Sequence, residues 1–383
     1  MAYSSNTLIT PTLVANMALA RLKNNLVYPN LVHRDFSGDF ANRVGETVNV
    51  RIPASLTAYK FSSTITTQDT TESYVAVKLN KLADVSPVIT SKEWTLSVKD
   101  FEEQIVGPAI DAIAQMIDLD IASTLFGNAT STVSETVSAQ SSLTLTNIAN
   151  VAKALDTKKA PNSNRRLVMS PYHKYRYGLV DNLAKAAYAG DSDMLRRADL
   201  GLVFGMDTFM DQNTPSSTAA TSGSSVTTIS VASSSDAGEV DLTAGLAATG
   251  TFAVGDGFVY VDSDGFGTLY RFTEVVTLSS NAASSKTVSP TFPANISATS
   301  CYIVRNGSSL GFHKDACAFV TRPLELPQGA ARAYVASADG FSVRVVFDYN
   351  PTYKYDIISF DVLYGVKMLR NDLAVRLVDG TLA

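Results

Sequence analysis

At 383 residues, 45% hydrophobic and 17% charged, the chain has room for roughly one large domain or two to three ordinary ones. Its net charge of -5 argues against tight, charge-driven nucleic-acid binding, which needs clustered Lys and Arg. No secretory signal is visible at the start, no apolar run approaches the ~18 residues of a membrane span, and Cys301 and Cys317 are too few for a disulfide framework.

Low charge with abundant Ser, Thr and Ala suits a surface covered by other subunits, and equally an extracellular adhesive β-protein. In chain order, 11–25 reads as an amphipathic helix with Val14, Met17, Ala18 and Leu22 on one side. With the irregular stretch that follows, it is either a core element or an arm reaching onto a neighbour. Val48, Val50 and Ile52 alternate with polar residues up to Pro53, and Val75, Val77 and Leu79 offer a partner strand. Between them, 54–73 is mostly Ser and Thr with scattered Leu56, Tyr59, Phe61 and Ile65, too little to fold against its own core. It reads as a long projecting hairpin whose apolar residues, with Lys60, Asp69 and Glu72, are candidate contacts to an adjacent subunit.

The stretch 98–127 is the one long amphipathic helix. Val106, Ala109, Ile110, Ile113, Ala114, Ile117, Ile121 and Leu125 form one stripe, with Asp111, Gln115, Asp118 and Ser123 largely outside it. Pro108 predicts a short leading helix and a kink. A second helix over 146–155 buries Ile148, Val151, Ala152 and Leu155. A strand over 165–170, a helix over 172–179 and a strand over 202–209 follow. From 214 the composition turns to Ser, Thr, Ala and Gly, with short strands at 257–261, 269–276, 287–289 and 301–304, so 214–310 reads as an inserted all-β domain. Past it, Phe341 to Phe347 and Ile358 to Met368 alternate cleanly, and Leu373, Val375 and Leu377 close the pattern.

Signals for chemistry are weak. His33, His173 and His313 are far apart and lack ligand-type spacing. Asp262-Ser263-Asp264-Gly265 lacks the distal Glu of a calcium loop and reads as a hairpin turn. Gly307-Ser308-Ser309-Leu310-Gly311 fits a nucleophile elbow, but the only later histidine, His313, is four residues away with no acid between. A flexible junction at a domain boundary is the simpler reading. No catalytic, cofactor-binding or metal-binding residue is assigned, and no enzyme activity is expected.

The ordered features resemble a tailed-bacteriophage major capsid protein, closest to short-tailed-phage coat proteins with an inserted β-barrel. The residues carrying this are Gly45 to Pro53 leading into the long loop, the spine helix, and Leu167-Val168-Met169-Ser170-Pro171. They continue with Leu310 to Ala316, Val320 to Leu324 and Asp361-Val362-Leu363-Tyr364-Gly365-Val366. The resemblance implies an α+β fold of the Hong Kong ninety-seven type. Its expected parts are an N-terminal arm (1–44), an extended loop with its hairpin base (45–90) and the spine helix of a peripheral domain (91–130). An axial domain (131–213), the inserted all-β domain (214–310) and the axial remainder with closing peripheral strands (311–383) complete it. It further implies self-assembly in the host cytoplasm, as hexamers and pentamers, into a virion shell around double-stranded DNA. Scaffolding and portal proteins are expected partners; no cofactor and no membrane are.

Overall fold

A computed structural model of the chain describes residues 11–34, 47–52, 58, 60, 67, 73–90, 102–135, 145–180, 200–216, 228–233, 238–244, 250–279, 281–304, 307–328, 332–338 and 341–379. The N-terminal helix, Pro11–Asn25, buries Val14, Ala15, Ala18, Leu19 and Leu22 in the main core. A four-residue helix, Tyr28–Leu31, follows it. Of the two readings open for this segment, residues 11–34 are therefore an element of the subunit's own core. Strands β1 (Thr47–Ile52) and β2 (Ser73–Lys78) pair antiparallel, with Val48 opposite Val77 and Val50 opposite Val75, as their alternation predicts. Strands β3 (Lys81–Val85) and β4 (Val88–Thr90) come next.

The spine helix, Gly107–Asn128, follows directly on a π-helical turn, Glu102–Val106; the leading helical turn expected before Pro108 is there, but Val106 at φ -64° and ψ -44° keeps the backbone helical across the junction. The proline sits in the first turn, where its missing N–H leaves no bond unmade. Every predicted stripe residue is buried, but the buried surface is wider than the stripe: all of 121–126 is enclosed. Asp118 and Ser123, expected outside the buried face, are 1% and 0% exposed. The apolar stripe marks only the side facing aliphatic neighbours; other elements cover the polar side too.

Beyond the spine lie β5 (Ser131–Glu135), a helix Thr146–Thr157, β6 (Arg165–Met169), a helix Pro171–Gly178, β7 (Leu202–Val203) and β8 (Met206–Met210). The strand expected over 202–209 is thus a tight hairpin. Its two-residue turn places Phe204 and Gly205 at φ of 48° and 75°, the left-handed pair that matches the twist of paired strands. The next strands are β9 (Thr228–Ala232), β10 (Glu239–Ala244), β11 (Gly250–Phe252), β12 (Gly257–Val261), β13 (Gly267–Phe272), β14 (Val276–Leu278), β15 (Ala282–Ser289) and β16 (Thr299–Val304). The chain continues through β17 (Ser308–His313), β18 (Cys317–Arg322), β19 (Arg332–Ala338), β20 (Phe341–Asn350), β21 (Tyr355–Met368) and β22 (Ala374–Asp379).

Besides the two-stranded β1–β2 and β11–β14 sheets, three larger bodies of sheet form among the described residues. One six-stranded sheet runs β5-β22-β17-β6-β8-β7, drawing its strands from widely separated parts of the chain. A second runs β18-β21-β20-β19, with β3 and β4 added along β21. Strands β10-β15-β13-β12-β16-β9 close into a barrel with its own aromatic core, in which Phe258 packs on Tyr270 at 5.7 Å and Tyr270 on Phe292 at 4.9 Å between ring centres. The strand expected over 269–276 stops at Phe272, and β14 pairs separately with β11. Barrel strands span 228–304, so the boundary expected at 310 falls inside β17. That strand is buried at all six positions between β22 and β6. Gly307 to Gly311 therefore leads into the middle of a sheet and is not a flexible junction.

Ile117 is fully buried on the spine, so Ile117→Ala is expected to destabilise the subunit by about 2–5 kcal/mol, measured by denaturant unfolding.

Candidate functional site

The spine helix holds other elements through three carboxylates. Asp111 takes a two-pronged hydrogen bond from Arg21 on the N-terminal helix, Nε to Oδ1 at 3.0 Å and Nη2 to Oδ2 at 2.8 Å, and a third from Asn25 Nδ2. Asp118 accepts from the backbone N–H of Val27, at 3.2 Å to Oδ2, and of Tyr28, at 3.1 Å to Oδ1. These are the first N–H groups of the Tyr28–Leu31 helix, which have no partner within the helix itself. Asp120 accepts from the hydroxyl of Tyr364 on β21. One helix thus fixes the N-terminal segment and the second sheet.

Burial sets the electrostatics of Asp118 and Asp120. It raises Asp118 from its ordinary 3.8 to about 8, with Coulombic repulsion from Asp211 adding to the shift and the Val27 and Tyr28 N–H groups opposing it. Burial likewise raises Asp120 to about 6, against the Tyr364 hydroxyl and the charge of Lys81. Asp211, which follows β8, is raised by burial as well.

The barrel docks on the same helix. In the β12–β13 turn, Asp262 Oδ1 accepts from the N–H of Asp264 and of Phe266, each at 2.9 Å, which makes the motif a hairpin turn as expected. The turn is held from outside by Asn128 Nδ2 donating to Gly265 O at 3.0 Å and by Lys78 at 2.7 Å from Asp264. Gly267 donates its N–H to Thr124 Oγ1 at 3.2 Å, and a Cβ there would lie 2.4 Å from the Ser123 carbonyl oxygen. The contact requires glycine because backbone meets backbone. Val259, Phe266 and Leu269 belong to the main core although their strands and turn are the barrel's. Arg376 on β22, 1% exposed, lies 3.3 Å from the Tyr302 ring centre on β16 and donates to Ala129 O just beyond the spine.

Of the residues expected to touch a neighbouring subunit, Lys60 is exposed; Leu56, Tyr59, Phe61, Ile65, Asp69 and Glu72 lie outside the described residues. Exposed apolar side chains occur beside that loop's base, at Tyr74 and Leu82. Others lie on the Pro171–Gly178 helix and the β7–β8 hairpin, at Tyr175, Leu202 and Phe204. Sequence patterning missed these because they lie on short or strongly twisted elements.

The histidines are closer than their spacing implied. His33 Nδ1 lies 3.0 Å from Asp315 Oδ1, and His313 Nδ1 accepts from the Asp315 N–H at 3.2 Å. Among the described residues, no three His, Cys, Asp or Glu side chains are placed to hold a metal ion. Ser309 Oγ meets Nδ1 of the upstream His173 at 2.7 Å. Both residues are fully buried, so no substrate reaches them, and burial lowers His173 to about 3, leaving it neutral. The pair ties the Pro171–Gly178 helix to β17.

Asp118→Ala leaves the Val27 and Tyr28 N–H groups without their acceptor and is expected to destabilise by about 1–3 kcal/mol. Asp118→Asn keeps an acceptor oxygen and should be much milder. Because the folded pKa of about 8 lies above the ordinary 3.8, the folded subunit binds the extra proton. That stability is fully present below the unfolded value and is lost as pH rises through the folded one. The melting temperature of wild type relative to Asp118→Asn is thus expected to fall between about pH 5 and about pH 8. Gly267→Ala should lower the melting temperature by forcing the barrel off the spine, at a cost of about 1–3 kcal/mol, while the barrel's own near-ultraviolet dichroism persists.

No family model and no curated protein sequence matches the chain. Solved structures do. A chain of "Mycobacterium phage Che8" aligns at 14% identity over 92% of this chain and 90% of its own, with a TM-score of 0.56. The capsid structure of the cyanophage P-SCSP1u aligns at 13% identity over 89% and 86%, with a TM-score of 0.50. The asymmetric unit of the bacteriophage PhiM1 mature capsid aligns at 10% identity over 88% and 83%, also with a TM-score of 0.50. The likeness extends over most of the chain, and the fold of this chain is that of phage capsid subunits.

Proposed function

We propose that this chain is the major capsid subunit of a tailed phage. It assembles with copies of itself, as hexamers and pentamers, into an icosahedral shell that packages double-stranded DNA, with scaffolding and portal proteins as further partners. The observation that carries this reading is the likeness of fold along nearly the whole length to chains of two phage capsids. The division into arm, loop, peripheral, axial and inserted parts belongs to the same proposal.

The physics of the chain supports it. A closed shell repeats heterologous contacts around symmetry axes. Each contact can be weak, since a 1 mM dissociation constant corresponds to about -4 kcal/mol, because every subunit holds several neighbours at once. A net charge of -5 keeps packaged DNA from adhering to the wall. The 54–73 segment, with Leu56, Tyr59, Lys60, Phe61, Ile65, Asp69 and Glu72, is assigned to contacts between subunits.

Purified protein examined by electron microscopy is expected to form uniform shells or tubes. Persistent monomers at high concentration would rule the proposal out, as would the irregular fibres of an adhesive protein. Because β1 and β2 pair along their full length up to Ile52 opposite Ser73, replacing 57–71 with a short Gly-Ser turn leaves the base paired. That variant should keep normal circular dichroism yet fail to close shells; shells of normal size and stability would remove the loop's role.

A further inference from the structure

The Pro171–Gly178 helix is apolar on two sides. His173 and Tyr177, with Val180 just beyond the helix, form the buried side, where His173 meets Ser309 on β17. Tyr172, Tyr175 and Leu179 recur at three- and four-residue steps on a second side, and Tyr175 is 71% exposed. A helix apolar on more than one side is normally enclosed by protein. The β7–β8 hairpin is the other uncovered apolar feature, with Leu202 70% and Phe204 49% exposed. Phe204 also holds φ at 48° in a turn position that favours Asn or Gly, because a bulky side chain crowds the left-handed backbone. A Cβ on Gly205 would meet nothing within 4 Å among the described residues, so the turn projects. A bulky residue that is both strained and exposed is unfavourable for the isolated subunit and points to a contact beyond it.

The two features lie at opposite ends of the same strands. β6 and β8 run parallel, with Arg166 opposite Asp207 and Met169 opposite Met210, so the hairpin turn lies at the start of β6 and the helix follows its end. The five residues of β6 span roughly 16 Å, which keeps the hairpin off its own helix. Their charges are complementary. Lys174 and Arg176 are the only charged residues over 171–180, and Asp207 is the only one over 200–210. Arg166 donates through Nη1 to Leu31 O, and Asp207 stays exposed. We propose that the β7–β8 hairpin of one copy of this chain docks on the Pro171–Gly178 helix of the next. Leu202 and Phe204 cover Tyr175 and Leu179, and Asp207 approaches Lys174. The contact is heterologous, one end of a subunit meeting the other end of its neighbour, so its repetition closes a ring. It rests on the capsid reading and deepens it by naming a contact that joins subunits within a hexamer or pentamer.

The test is a cross-link between copies. Full-length chains carrying Tyr175→Cys are assembled with chains carrying Leu202→Cys and oxidised with copper phenanthroline; both native cysteines are buried and stay silent. Covalent dimers are expected on non-reducing gels, and a chain carrying both substitutions should give a ladder. Tyr353→Cys, equally exposed on the β20–β21 turn, should give no dimer with Tyr175→Cys. Phe204→Asn separates the contact from the fold. Relieving the strained turn should raise the subunit's melting temperature, while the concentration needed for assembly rises at least ~10-fold. A lower melting temperature would mean that Phe204 serves its own subunit and overturns the proposal, as does unchanged assembly. Wild-type shells whose counterparts show no cross-link between positions 175 and 202, or as much between 175 and 353, overturn this contact and leave the capsid reading standing. Wild-type protein that stays monomeric overturns both.

Discussion

Where a helix is enclosed all round it has no solvent-facing surface on which to leave its charges. From Ile121 to Phe126 the spine is completely buried, and upstream its carboxylates stand among the N-terminal segment and the second sheet. Burying a carboxylate is unfavourable unless it is hydrogen-bonded or neutralised. That penalty turns Asp118 and Asp120 into fixed attachment points for the Val27–Tyr28 backbone and Tyr364, while the part-exposed Asp111 adds a surface pairing with Arg21. The rest of the subunit is arranged about those attachments. Apolar burial supplies the bulk of the stabilisation and the carboxylates supply the register.

The barrel obeys the same constraint in another way. Its aromatic interior, from Phe252 through Phe292, is separate from the main core, yet Val259, Phe266 and Leu269 face outward into that core. A barrel attached in this manner braces the spine along its C-terminal turns. Lys78, at the end of β2, extends the brace to the β1–β2 hairpin, so that hairpin, the spine and the barrel meet within a few side chains.

Local periodicity was enough to read most of the fold. Phe341 to Phe347 and Ile358 to Met368 alternate because one face of each strand packs inward, and the structure buries that face. The β1–β2 register followed from the same rule. What stayed hidden depended on partners distant in sequence. Asp118 looks like a solvated residue on a helical wheel, and only the Val27 and Tyr28 N–H groups, some ninety positions upstream, explain its burial. Ser309 paired with His173 defeats a search that looks only downstream. β9 and β10 sit in a Ser- and Thr-rich tract whose apolar residues, Ile229, Val231, Val240 and Leu242, are too sparse to announce strands. The 54–73 residues proposed as contacts rest on composition alone.

The position of β22 has a temporal meaning. It lies between β5 and β17, pairing parallel with one and antiparallel with the other, so residues 374–379 join the edge strand β5 to the rest of the first sheet. During synthesis, β17 and β6 can meet, and the barrel can close once residue 304 has emerged. β5 has no neighbour in the sheet until the chain reaches Asp379. Until then β5 is a strand without its sheet, with unpaired backbone groups on both sides.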